Sequence, residues 1–130
     1  MERNVVIEMF HRLIADLGYL EAAKDFYCCK VLEAYVLIED AVNELYKIYP
    51  VLRIMKYKDI ISRKLRRTKF RDEKQAKAIL NVVANDLITI SKVFADIRDR
   101  QKSIEIQERL DDVVTSLIEA SEILKEVISG

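Results

Sequence analysis

Ten cationic side chains define the chemistry most open to this chain: Arg53, Lys56, Arg63, Lys64, Arg66, Arg67, Lys69, Arg71, Lys74 and Lys77. Phosphates are held by Lys and Arg presented together, because neutralising several of them releases condensed counterions. Eight of the chain's 22 Lys and Arg fall within the sixteen residues SRKLRRTKFRDEKQAK, 62–77. From Arg53 to Lys77 eleven basic residues meet three acidic ones, a net of +8. Residues 1–52 (five basic, nine acidic) and 78–130 (six basic, ten acidic) carry −4 each, so the total is zero. A neutral chain exerts no long-range pull on polyanions, but a polarised one can present a basic end. Tyr57 and Phe70 lie near enough in sequence to stack on an exposed base. No recognition-helix, zinc-finger or RNP pattern accompanies them, so the chemistry implied is phosphate contact without base reading. Part of the charge has a plainer cause. A helix C-terminus favours cations in any protein, which accounts for Arg66 and Arg67, and Asp59, Asp72 and Glu73 offset some of the rest. An acidic protein partner or a lipid surface fits the same composition.

Other reactive groups are sparse. His11 is the only histidine, so one chain holds no His-pair metal site and no Ser-His-Asp array. It neighbours Phe10 on the side away from the apolar stripe, where a surface position is expected. Cys28 and Cys29 are the only cysteines. Adjacent helical residues point about 100° apart and do not readily bridge. Cys28 falls in an apolar column and reads as core, while Cys29 falls outside it. Three carboxylate groupings have spacings that can face one ion: Asp40 with Glu44, Asp96 with Asp99, and Glu108 with Asp111 and Asp112. Acidic pairs of this kind are common on charged helices. No catalytic residue, metal, cofactor or small-molecule substrate is therefore expected, and a carboxylate-metal hydrolase acting on nucleotides is the least supported of three readings.

The elements that must carry these groups are helical. Hydrophobic residues make up 51% of the 130 and charged residues 34%, with two Gly and one Pro. That argues against disorder and against a strand-and-turn fold, which needs turn residues every few positions. The length suits one domain spanning 1–130. The tilt to Glu, Lys, Arg, Ile and Val is the one hyperthermophile proteins show, compatible with an archaeal or viral source. MERNVVIEMF lacks the basic-then-apolar order of a signal peptide. No uninterrupted apolar run approaches the ~18–20 residues of a membrane span. An intracellular, soluble protein is expected, in the cytoplasm, or in the host cytoplasm or virion if the source is viral.

A heptad register runs from Val6 to Tyr49. Phe10, Leu17, Val31, Ile38 and Leu45 recur at one position, Val6, Leu13, Leu20, Tyr27, Ala34, Ala41 and Ile48 at another, with only Lys24 out of character. The pattern passes Gly18 without a phase slip and stops at Pro50, so a single helix over 4–49 is expected, roughly 65 Å long and bent at most near Glu21 and Lys24. Lys24 then sits at a core edge with its ammonium reaching water. Residues 51–67 read as a short basic helix, and Thr68 to Arg71 as a turn. Asp72 with Gln75 has capping-box spacing before a helix carrying Ala76, Leu80, Val83, Leu87, Ile90, Phe94 and Ile97. Ser103 caps a last helix carrying Ile106, Leu110, Val113, Leu117, Ala120, Leu124 and Val127.

The expected architecture is all-α: an up-down antiparallel bundle of three long amphipathic helices and one short basic helix. The long first helix would overhang the others and leave apolar surface that a second chain covers, so a homodimer is expected. The function implied is non-enzymatic binding of nucleic acid at a basic end, residues 53–77, as an accessory or packaging subunit. The alternative is a protein–protein adaptor or oligomerisation module built on the apolar stripe.

Overall fold

The computed structural model describes residues 2–54 and 69–130. Among them every regular element is an α-helix: α1 Glu2–Ala23, α2 Cys28–Ile48, α3 Val51–Ile54, α4 Glu73–Asp99 and α5 Ile104–Ser129. The chain is all-α, as its scarcity of Gly and Pro requires. Both capped helices begin where their local chemistry says. The Asp72 carboxylate accepts from the Gln75 backbone N–H at 2.9 Å, and the Gln75 amide oxygen accepts from the Arg71 N–H at 2.7 Å. Ser103 Oγ accepts from the Ile106 N–H at 3.4 Å. The bonds to the Gln75 and Ile106 N–H groups each satisfy a donor that the first helical turn leaves without an intrahelical partner.

The expected undivided helix over 4–49 is two helices. α1 runs unbroken through Gly18 and ends at Ala23; residues 24–27 form a turn, and α2 starts at Cys28. Lys24 is exposed in that turn, its Nζ 3.8 Å from Glu21. Folding back lets the two halves of the stripe cover one another: Phe10 and Tyr46 stack at a centroid distance of 5.5 Å. A straight helix would leave both halves facing water, and each large apolar side chain buried is worth about 1.5–3 kcal/mol. The overhang that called for a second chain does not exist in this fold.

Among the described residues four long helices make the bundle. α5 packs extensively on α4 and on α2, and α1 closes the ring with smaller interfaces against α2 and α4. Named contacts give the directions. Gln101 bonds Glu2 at 3.1 Å and Arg12 pairs with Asp86, so α1 and α4 are antiparallel. Arg98 meets Asp111 at 2.6 Å and the Ser121 hydroxyl donates to the Ala84 carbonyl at 2.8 Å, so α4 and α5 are antiparallel. Arg109 reaches Glu44 at 3.0 Å, while Val127 borders the depression beside Tyr27, so α2 and α5 are antiparallel as well. It follows that α2 and α4, diagonal in the ring, point the same way. Ile48 and Glu73 therefore stand at opposite ends of the bundle.

The core is continuous through all the helices. Phe10, Leu13, Leu20, Ile38, Leu45, Leu52, Leu80, Leu87, Ile90 and Phe94 are fully buried. By length and composition α4 is apolar enough to cross a membrane, unlike the expectation that no segment would be. Core helices of bundles share that property, and the inward row of α4 from Ala76 to Ile97 is buried.

Candidate nucleic-acid interface

The described members of the basic set occupy two places. Arg53 is exposed on α3, at the end of the bundle where α2 finishes and α1 begins. Tyr49 marks that end; burial, and then the Glu2 carboxylate, push its phenol up to about 12. Lys69, Arg71, Lys74 and Lys77 are exposed together around the start of α4, at the other end. Tyr27 marks this one; its phenol is raised by desolvation and then by Glu73 beside it. The structure thus brings four of the cations together and sets Arg53 apart from them. Lys56, Arg63, Lys64, Arg66 and Arg67 lie outside the described residues, as does Tyr57. Phe70 is half-buried and packs on the core, which ties one of the two candidate stacking rings to the fold.

The cluster at α4 differs from the cations that are held in ion pairs. Arg12, Lys24, Lys30, Lys47, Arg98, Arg100 and Arg109 each meet a carboxylate. Among the described residues no ion pair involves Lys69, Arg71, Lys74 or Lys77. Their position makes the contrast sharper. A helix N-terminus carries the positive end of the macrodipole, so cations beside it gain nothing from the helix. Asp72, the nearest carboxylate, is engaged as the N-cap. The capping that fixes the start of α4 therefore holds four exposed cations on one corner, partly offset by Asp72 and Glu73.

The carboxylate groupings are spoken for in part. Glu44 is shared by Arg109 and Lys47, Asp96 pairs with Arg100, and Arg98 bonds both Asp99 and Asp111. Glu8 and His11 have Glu-x-x-His spacing, of which bundle di-metal sites need two copies. Among the described residues no group of three or more His, Cys, Asp and Glu side chains is placed to hold a metal ion. His11 is half-buried beside the Phe10 ring at 6.3 Å and not a surface residue; the arc of α1 that is buried is wider than the stripe alone. Cys28 is exposed and not core, because the break before it places it at the outer start of α2.

Three features had no mark in the sequence reading. Asp16 is 5% exposed, with Oδ2 lacking a hydrogen-bond partner among the described residues. Burial pushes its carboxyl up to about 8, against the lowering effect of Arg12. On α2, Leu32 (45% exposed) and Val36 (54% exposed) form an outward apolar patch. With Cys29, Glu33, Leu37 and Ile123 they line a shallow depression of about 500 Å³ between α2 and α5. Along the neighbouring edge of α5, Glu105, Asp112, Glu119 and Glu126 recur every seventh residue, all exposed. Their signal was the spacing; which neighbour that row flanks is decided by packing. No protein-family model, curated protein or solved structure matches this chain.

Proposed function

We propose that this chain is a non-enzymatic helical-bundle protein that binds nucleic acid through phosphate contacts, as an accessory or packaging subunit in the cytoplasm. The observation that carries the reading is the exposed cluster Lys69, Arg71, Lys74 and Lys77 at the start of α4, unpaired among the described residues while most other described cations are paired. Cations at a helix start are placed against their own helix dipole, and a phosphate backbone is the ligand that relieves this. The rest of the +8 segment adds charge of the same sign. Each phosphate contact contributes about 0.9 to the slope of log K against log salt, so four contacts predict a slope near −3.6 on duplex DNA. The variant K69E/R71E/K74E/K77E should lose binding in a gel-shift or anisotropy titration. Equal binding by that variant at matched salt would end this reading.

A second reading rests on a different surface. The Leu32–Val36 patch beside the acidic row of α5 has the character of a protein-docking face for an apolar helix with basic edges. Two copies meeting there symmetrically would bring like charges together, so as an adaptor the chain would take a partner of opposite charge. Leu32→Glu with Val36→Glu should abolish such binding and leave duplex DNA binding intact.

A further inference from the structure

We propose that Cys28 and Cys29 form a vicinal dithiol that exchanges with low-molecular-weight disulfides and closes to a disulfide inside the first turn of α2. The two are the chain's only cysteines, both are exposed, and their Sγ atoms are 3.3 Å apart. They are the first two residues of α2, where the backbone N–H groups have no intrahelical acceptors. This start is also the least secured of the long internal helices. Tyr27 stands at the N-cap with no side-chain bond to the first turn, whereas Asp72 and Ser103 cap α4 and α5. Opening the turn therefore sacrifices few bonds.

Closure requires the Sγ–Sγ separation to fall from 3.3 Å to about 2.05 Å. Neighbouring Cα atoms are about 3.8 Å apart, below the usual disulfide minimum of about 4.4 Å, so the ring is strained and the peptide leaves helical geometry. Strained, exposed disulfides have oxidising potentials and are readily reduced again, which is the behaviour of a reversible site. The hydrogen bond between the two thiols, before any other influence, raises the Cys29 thiol, so the first attack is assigned to Cys28.

The step balances as two successive exchanges. The Cys28 thiolate attacks one sulfur of a disulfide RSSR, forming Cys28–S–SR and releasing RS⁻. The Cys29 thiolate then attacks the Cys28 sulfur and expels the second RS⁻. The protein loses two electrons and two protons, and RSSR is reduced to two RSH. Cys29 borders the apolar depression with Leu32 and Val36, and Cys28 borders the one with Val127, so closure reshapes the surface between α2 and α5.

The full chain incubated with oxidised glutathione and followed by intact mass tests this directly. The expected product is a monomer two hydrogens lighter, carrying no glutathione and restored by a reductant. Cys29→Ser should retain one glutathione on Cys28, located by peptide mapping. In the oxidised wild-type protein the amides of Leu32 and Glu33 should exchange about tenfold faster, since the bonds of the first turn are released. A wild-type chain that accumulates a stable glutathione adduct, or a disulfide-linked dimer, overturns the proposal. So does a chain that stays fully reduced, whether or not Cys29→Ser takes up glutathione.

Discussion

Asp16 shows how one carboxyl can set a pH dependence for the whole chain. Its unfolded pKa is about 3.9, and in the bundle burial raises it to about 8. Between those values the folded state holds a proton that the unfolded state has released, so stability falls as pH rises from about 4 to 8 and is lowest above that window. Asp16→Asn cannot ionise. It should be more stable than the native chain at pH 8, by up to about 5 kcal/mol, with the gain shrinking to near zero at pH 4. Thermal melts of both proteins at the two pH values check this, and a gain independent of pH would refute it. Nothing in the heptad pattern marks Asp16. Periodicity identifies one face of α1, whereas Met9, Asp16 and Ala22 are buried outside the centre of that face. Cys28 went astray for the converse reason, since it sits in an apolar column yet lies at a helix start.

At the scale of elements, local chemistry and packing divide the work. The starts of α4 and α5 were legible because a cap is a contact within three residues: Asp72 to Gln75, Ser103 to Ile106. Asp72→Ala should cost about 1 kcal/mol, a fall in melting temperature of roughly 2–6 °C for a domain of this size. An unchanged melting temperature would mean the cap observed here is not holding the helix. The α1–α2 break was not legible. Lys24, Asp25, Phe26 and Tyr27 include no Gly, no Pro and no side-chain cap, and four residues are close to one helical turn, so the heptad count passes over them undisturbed. What decides the break is the burial gained when Phe10 meets Tyr46 and the stripe of α1 closes on that of α2.

The whole molecule turns on connectivity. Because α2 and α4 point the same way, Arg53 and Lys74 belong to opposite ends, separated by about the length of α4, roughly 40 Å. With Cys28 and Cys29 replaced by Ser and spin labels placed at 53 and 74, the measured distance should fall near that figure. A distance under about 15 Å would overturn the parallel arrangement of α2 and α4. The same connectivity divides the basic segment that looked like one patch, and it concentrates the described cations Lys69 to Lys77 at the start of α4. By itself the sequence determined the all-helical class, both capped starts, the inward rows of α4 and α5, and the polarised charge. Each of these follows from composition or from residues within a turn or two of one another. Only the tertiary structure decided that residues 4–49 fold back on themselves, that α2 and α4 are diagonal, and that Asp16 is buried. Those outcomes depend on which apolar surfaces find each other across dozens of residues, and a helical period carries no record of its partner.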